Sequence, residues 1–339
     1  MLNQKKLVSA IAIAIGTSAG AVGSVHADSA LFPFLVNGPT VTSIVSVMNG
    51  GDGYMFGNAE FLHYTYYYKS VFADPKDPCK EKNVYRPTSP YDIQTIDLGG
   101  TYGSTTLGVL FNDPSFYNDW EGPGQTFALG ADLDPHRAYL VVDNSQGVMS
   151  GEAFIFEVAS GATWGYQAFK AGETANQADF TGFATVVPSQ IPVMPFDDIT
   201  TKLAVTPVFT PMAGIPSNNY QVEVSLKVTD QFNNTGVMFD RDEIPVSGSV
   251  PQRVTCIDAV EVRDLLSDGL ADAGGELADG GWTEVYTEKP TSATAGVTPV
   301  ESAIIYKVEY GAGTFNGEPA NGVFNNGTWL PNVPKPVKP

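Results

Sequence analysis

Hydrophobic and polar residues alternate along much of this chain, which is the pattern of β-strands that bury one face. Between Tyr220 and Thr229 an apolar residue recurs at every second position, so one face of this strand should meet a core and the other should meet water. The stretch FLHYTYYYK, from Phe61 to Lys69, follows the same period of two. Its tyrosines favour strands and can cover a core while their hydroxyls reach a wet rim. In the strand from Tyr220 to Thr229 the residues predicted to face inward are Val222, Val224, Leu226 and Val228. In the tyrosine stretch one face carries Leu62, Tyr64, Tyr66 and Tyr68.

Further strands of this kind follow along the chain, separated by clusters of Gly, Pro, Asn and Asp. They are TVTSIVSVM, DIQTIDL, HRAYLVVD, EAFIFEVA, TWGYQAF, KLAVTPVF, WTEVYTE and AIIYKVEY. Only the stretch around Val260 to Ala273 suggests a helix, and its many glycines make that helix weak. The pattern therefore predicts an all-β protein made of two antiparallel β-sandwich domains, immunoglobulin-like, with at most one short helix.

The chain is longer than the usual size of a single core, so two domains are expected. The stretch PSQIPVMPFDD is rich in proline and is the best candidate for a linker. The C-terminal PNVPKPVKP is rich in proline and lysine and is expected to be extended. The predicted divisions are a first β-sandwich at 28–187, a linker at 188–200, a second β-sandwich at 201–330 and a tail at 331–339.

The N-terminus has the features of an export signal. Lys5 and Lys6 precede an apolar stretch, and small residues lead to a cleavage site after Ala27. The following residue is Asp28 rather than cysteine, which disfavours a lipid anchor. We therefore expect residues 1–27 to be a signal peptide of bacterial type, and the mature chain to be secreted or extracytoplasmic without membrane insertion.

The charge of the chain excludes one class of partner. The chain has 18 Lys and Arg against 37 Asp and Glu, a formal charge of −19. Loss of the two signal-peptide lysines would lower the basic count to 16 and the charge to −21. Nucleic acid is not an expected partner, because phosphate binding needs clustered basic residues. An acidic surface instead suits solubility or cation binding.

Two cysteines, Cys79 and Cys256, lie far apart in the sequence. An exported chain meets oxidising conditions, so these thiols are candidates for one disulfide between the two halves. The sequence leaves their pairing open, because it does not show whether the two residues approach within bonding range. No C-x-x-C motif or Cys/His cluster favours a metal site.

Short motifs offer little support for catalysis. The one G-x-S-x-G pattern, Gly16 to Gly20, lies inside the predicted signal peptide. A Ser-His-Asp relay in the mature chain would have to use His63 or His136. The motifs of zinc proteases, P-loops and dinucleotide-binding folds do not occur. No redox cofactor is predicted, and we expect the protein not to be an enzyme.

Carboxylates leave two further options open. Two acids brought together from any part of the chain would suffice for glycoside hydrolysis, and the candidates are Asp197, Asp198, Asp240, Asp242 and Glu243. Clustered loop acids could instead bind Ca²⁺, which takes oxygen ligands. The candidate calcium ligands are Asp132 and Asp134 in one loop, and Asp240, Asp242 and Glu243 in another. Acids beside turns are more often solvated or cap the backbone.

The aromatic residues suggest a binding role or a core. Candidates for a surface that stacks on sugar rings, or for an interface, are Tyr64, Tyr66, Tyr67 and Tyr68 with Trp120 or Trp164. Of these, Tyr64, Tyr67, Trp120 and Trp164 are the predicted ligand-binding residues. Core packing is the ordinary alternative for most of them.

The apolar segment directly after the signal peptide, from Asp28 to Gly38, bears on assembly. Such a segment either packs on its own domain or completes the sheet of a neighbouring copy by strand addition. The sequence therefore predicts an exported, non-enzymatic structural or adhesive surface protein that associates with itself or with other surface proteins. The alternatives are a carbohydrate-binding module that uses exposed aromatic residues, and a carboxylate-based glycoside hydrolase.

Overall fold

The computed structural model describes residues 28–38, 41–50, 60–98, 135–144, 148–157, 163–174, 177–184, 188–209, 216–229, 235–311, 314–315, 318–319 and 325–330. The predicted signal peptide, the tail at 331–339, Trp120, Asp132 and Asp134 lie outside these residues. Within them the protein is all-β, as predicted, and its sheets are antiparallel except for one short parallel pair. No helix in the described part is long and apolar enough to cross a membrane.

The first half of the chain forms two larger sheets and one hairpin. Its strands are β1 (Asp28–Asn37), β2 (Val41–Asn49), β3 (Glu60–Ser70), β4 (Lys80–Thr88), β5 (Ile93–Asp97), β6 (His136–Asn144), β7 (Met149–Glu157), β8 (Thr163–Gln167), β9 (Phe169–Lys170), β10 (Gly172–Thr174) and β11 (Gln177–Asp179). Sheet 1 has the order β4-β3-β6-β1-β9, and sheet 2 has the order β5-β2-β7-β8. The β10-β11 pair stands apart from both.

The second half forms two more sheets. Its strands are β12 (Ser189–Val193), β13 (Thr200–Val208), β14 (Tyr220–Leu226), β15 (Val228–Thr229), β16 (Thr235–Gly236), β17 (Met238–Phe239), β18 (Pro245–Val246), β19 (Gln252–Thr255), β20 (Asp258–Glu261), β21 (Gly281–Glu288), β22 (Thr298–Pro299), β23 (Ser302–Tyr310), β24 (Thr314–Phe315), β25 (Glu318–Pro319) and β26 (Asn325–Trp329). Sheet 3 has the order β20-β13-β23-β26. Sheet 4 has the order β18-β17-β21-β14-β19, with β12 beside β21 and β22 beside β14. Two small pairs, β15-β16 and β24-β25, complete the strands.

The alternation in the sequence places the inward faces correctly. In β3, Leu62, Tyr64 and Tyr66 point into the core between sheets 1 and 2. In β14, Val222, Val224 and Leu226 point into the core between sheets 3 and 4. Both assignments follow from the period of two, because alternate side chains of a strand lie on opposite faces. The inward faces predicted for these two strands are confirmed.

A third apolar core joins the two halves. It lies between the outer faces of sheets 1 and 3, where Leu31, Tyr139 and Val141 meet Ile304 and Val308. Trp164 and Tyr166 of sheet 2 also reach this core and pack on β23, so sheet 3 meets both sheets of the first half. Because sheets 1 and 3 are covered on both faces, their central strands β1, β6, β13 and β23 are buried almost throughout.

The predicted helix around Val260 to Ala273 is wrong. The chain enters this stretch in strand β20, forms a 3-10 helix only from Val262 to Leu265, and continues through turns. Gly269 and Gly274 have φ angles of 84° and 81°, which an α-helix does not accommodate. The described residues contain one other short 3-10 helix, Thr181–Phe183, and no α-helix.

The proline-rich stretch 188–200 differs from the predicted linker. Its residues Ser189 to Val193 form β12, which pairs with β21. Ile191 and Val193 are buried in the core between sheets 3 and 4. Proline fits here because β12 pairs on one side only, and the exposed Pro192 needs no ladder hydrogen bond on the open side. The immunoglobulin-like topology and the division into two independent domains stay predictions.

Candidate functional site

The aromatic residues predicted to bind a ligand are largely covered in the structure. Tyr64 is fully buried, and its hydroxyl donates a hydrogen bond to Gln94 Oε1 at 2.9 Å, so it lies in the core between sheets 1 and 2 rather than at an exposed surface. The half-buried Tyr67 stacks on Tyr139 with ring centroids 4.7 Å apart. Trp164 packs against the third core and stacks on Tyr310. These rings stabilise the packing, which is the ordinary alternative named above.

One group of acids predicted as calcium or catalytic residues, Asp240, Asp242 and Glu243, lies in a turn. Asp240 Oδ1 accepts the backbone N–H groups of Asp242 and Ile244 at 3.0 and 2.8 Å, while Glu243 has a positive φ of 63°. The Asp240 carboxylate therefore caps the backbone, as acids in turns commonly do. No group of three or more His, Cys, Asp and Glu residues suited to a metal ion occurs in the described ranges.

Cys79 and Cys256 form a disulfide, with an S–S distance of 2.01 Å. Both cysteines lie in the third apolar core. The bond joins the segment before β4 to the segment after β19, and so connects the two halves of the chain across the boundary between sheets 1 and 3. The question that the sequence left open is settled in favour of pairing.

A row of polar side chains crosses the outer face of sheet 1 beyond the third core. The register places Tyr85 of β4, His63 of β3, Asp143 of β6 and Ser29 of β1 side by side. The rings of His63 and Tyr85 stack at 4.2 Å, and His63 Nδ1 lies 3.4 Å from Asp143 Oδ2. Ser29 Oγ donates to Asp143 Oδ1 at 2.5 Å. We call these four residues the polar ladder.

A second row beside the polar ladder fixes its central histidine. His63 Nε2 lies 3.0 Å from Asn83 Oδ1, and Thr65 Oγ1 donates to the same oxygen at 3.0 Å. Asn83 Nδ2 in turn donates to Glu81 Oε1 at 2.5 Å. Because the Asn83 oxygen accepts from its neighbours, its amide nitrogen points along β4 toward Glu81.

The electrostatics of the polar ladder favour a charged His63. The hydrogen bond to Asp143 raises the pKa of His63, and the Asp143 charge and the bond to Asn83 act in the same direction. Burial of the ring opposes them without reversing the shift. The carboxylate next to the imidazole therefore stabilises the imidazolium.

The order Thr65, His63, Asp143 repeats the nucleophile, base and acid order of a hydrolytic relay, but its hydrogen bonds are arranged differently. Thr65 Oγ1 donates to Asn83 at 3.0 Å, whereas its distance to His63 Nε2 is 3.4 Å. The Thr65 hydroxyl is therefore directed at Asn83 rather than at the imidazole.

The exposed ring of Tyr85 at the end of the polar ladder was not identified from the sequence, nor was the exposure of Phe61 next to it. Tyr85 is 63% exposed and Phe61 is 41% exposed. Strand β4, KEKNVYRPT, was not predicted, because charged residues interrupt its pattern. The available signal was the alternation of Val84 and the buried Arg86 with the outward Asn83 and Tyr85.

A cleft of about 680 Å³ opens at the joint of the two halves. Arg137 from sheet 1 and Asp258, Val260 and Arg263 from the second half are among its lining residues. Asp258 is 2% exposed and forms an ion pair with Arg137. The floor of this cleft is therefore a buried charge contact between the two halves.

Lys69 lies behind this floor. Its Nζ donates to the carbonyl oxygens of Pro75 at 2.9 Å and Thr255 at 3.1 Å, and lies 3.5 Å from Asp258 Oδ2. Burial and the nearby Arg137 charge lower the pKa of Lys69 to about 7, against the opposing charges of Asp77 and Asp74. The contacts hold the amine in place and link β3 to the segment before β20.

The chain matches no family model, and no curated protein sequence matches it. Function is therefore inferred from the geometry above.

Proposed function

We propose that this chain is an exported, non-enzymatic structural or adhesive surface protein. The observation that carries the proposal is the joint between the halves, where an apolar core, a disulfide and buried ions occur together. A stack of sheets joined in this way is suited to keep its shape outside the cell.

Direct hydrogen bonds add to the joint. Thr206 Oγ1 donates to the carbonyl oxygen of Pro33 at 2.8 Å in a buried position, and Thr255 N–H donates to the carbonyl of Pro75 at 2.8 Å. Inter-domain contacts that are apolar, hydrogen-bonded and covalently closed oppose relative motion of the halves. A stiff body serves a structural role better than a hinged one.

Export is supported by the disulfide and by the N-terminal sequence. Disulfides form and persist in oxidising compartments, and the predicted signal ends directly before the first residue of β1. The acidic charge of −19 suits solubility at high concentration.

Assembly by strand addition must account for the position of the apolar lead. Asp28 to Asn37 form β1, which lies between β6 and β9 inside sheet 1. The lead thus packs on its own half, and strand addition would require β1 to leave one copy and enter another. Deletion of the lead would remove a buried central strand, so it is not a suitable test of assembly.

Export can be tested by expressing the full chain in a bacterial host and fractionating the cells. We expect a processed protein that starts at Asp28 in the extracytoplasmic fraction, with Cys79 and Cys256 resistant to thiol reagents until reduced. Retention of the unprocessed chain in the cytoplasm, with both thiols free, would contradict the proposal.

Assembly can be tested by light scattering over a concentration series of the mature chain, with and without Ca²⁺. An average molar mass that rises with protein concentration would support a structural role. A matched variant, Ala30→Cys with Val142→Cys, cross-links β1 to its partner position on β6 and should stop growth if β1 exchanges between copies. A strict monomer at every concentration would contradict self-assembly, and would leave only an adhesive role.

A further inference from the structure

We propose that the outer face of sheet 1, at the Tyr85 end of the polar ladder, binds a neutral or amino hexose unit of a glycan, with the sugar ring stacked on Tyr85. The site is defined by Tyr85, Asn83 and Glu81 of β4, with Phe61 at its edge. This inference goes beyond the proposed function and does not depend on it, because a protein without any structural role could bind a sugar through the same face.

The ring of Tyr85 is preorganised for stacking. One face of the ring stacks on His63 at 4.2 Å with an interplanar angle of 10°, and the side chain remains 63% exposed. His63 is itself held by Asp143 on one nitrogen and by Asn83 on the other. An exposed aromatic ring that is already fixed loses little side-chain entropy when it binds.

Hydrogen-bonding groups lie next to this ring on the same strand. Tyr85, Asn83 and Glu81 alternate along β4 and therefore share one face. At about 3.4 Å per residue these three side chains extend over roughly 14 Å. Sugars combine apolar C–H faces with a rim of hydroxyls, so a ring bordered by an amide and a carboxylate matches both parts of the ligand.

Phe61 extends the apolar part of the site. The register pairs Phe61 with Pro87, so that Tyr85 lies diagonally across the strand pair. Diagonal neighbours of this kind are about 7–8 Å apart. Phe61 is 41% exposed, and it can contact a second sugar unit of a chain that crosses the sheet.

Charge selects the class of sugar. Glu81 is the charged acceptor at the site, because Asp143 is already bonded to His63 and Ser29, and the whole protein is strongly acidic. Carboxylates accept hydrogen bonds from hydroxyls and attract ammonium groups, but they repel carboxylates and sulfates. Neutral hexoses and amino hexoses therefore fit, and uronic acids and sulfated sugars do not.

The test uses the mature full chain, fluorescently labelled, on an array of neutral, amino, uronic and sulfated oligosaccharides. The strongest glycan is then titrated by calorimetry with the native chain, with Tyr85→Ala and with Tyr91→Ala. Tyr91 is a matched control, because it is also a tyrosine and is 67% exposed, but it lies at the turn before β5 of sheet 2. Thermal unfolding of each variant checks that it is folded.

We expect binding to neutral or amino sugars that weakens by about tenfold or more in Tyr85→Ala, equivalent to at least about 1.4 kcal/mol. Tyr91→Ala should bind as the native chain does, and Asn83→Ala should weaken binding less than Tyr85→Ala. A blank array, preference for uronic or sulfated sugars, or equal loss in Tyr85→Ala and Tyr91→Ala would overturn the inference. None of these outcomes bears on export or on assembly, which the fractionation and light-scattering experiments test separately.

Discussion

Removing the disulfide is the sharpest test of the joint between the halves. The variant Cys79→Ala with Cys256→Ala opens a cross-link between residues that are 177 positions apart in the sequence. Both side chains are buried in the third core, with 7% and 0% exposure. Alanine keeps the sites apolar, so the main change is the loss of the covalent closure.

The expected loss follows from the chain entropy of the unfolded state. Closing a loop of 177 residues removes entropy worth about 5 kcal/mol at room temperature in the loop-closure model. Residual structure in the unfolded chain lowers this figure, and measured bridges commonly contribute about 2–4 kcal/mol. We therefore expect the free energy of unfolding to fall by about 3–5 kcal/mol.

The assay is urea unfolding at neutral pH, followed by tryptophan fluorescence and by far-ultraviolet circular dichroism. The native oxidised chain should unfold in one transition with both probes, because the third core couples the halves. Either single variant, and the native chain after reduction, should lose as much stability as the double variant. A loss below about 1 kcal/mol in all of them would refute the reasoning that the bridge constrains the unfolded chain.

Three further predictions concern single side chains. Asp258→Asn should lower the free energy of unfolding by about 3–5 kcal/mol, because it leaves buried Lys69 and its neighbouring arginine without their carboxylate; a urea titration that shows no loss would contradict this. Tyr139→Phe should leave stability unchanged or raise it by up to about 2 kcal/mol, because the buried hydroxyl has no hydrogen-bond partner in the described part of the chain; a clear loss in thermal unfolding would count against it. The raised pKa of His63 adds stability that is fully present below the unfolded pKa of about 6.5 and is lost as the pH rises through the folded value; Asp143→Asn should remove this dependence, and equal pH slopes for both proteins would exclude it.

The strands and their inward faces were predictable because the signal is local. In β3 and β14 the alternation of side chains assigns each residue to a face without reference to the rest of the chain. The 3-10 turn after β20 was not predicted, because the apolar spacing of Val262, Leu265 and Leu266 resembles a helix while the glycines that follow adopt positive φ. Strand β12 was not predicted, because its prolines suggested a linker. An edge strand nevertheless tolerates proline, since it pairs on one side only.

The candidate site was less predictable than the fold. His63 was visible in the sequence, but most of its partners come from two other strands, β4 and β6, so their proximity depends on the sheet register. Tyr85 was missed because β4 has no clear apolar alternation. Tyr64 and Tyr67 were predicted to bind a ligand because they are aromatic, although Tyr64 is buried and Tyr67 stacks on Tyr139.

The sequence by itself determined that the chain is all-β, which residues of its clearest strands face inward, and that two cysteines were available for one bridge. Only the tertiary structure decided which outward faces are covered. Tyr67 and His63 lie on the same face of β3, yet sheet 3 covers the surroundings of Tyr67 and leaves His63 at an open polar surface. The physical reason is that alternation is a property of neighbouring residues, whereas the burial of an outer face depends on how segments far apart in the chain pack together.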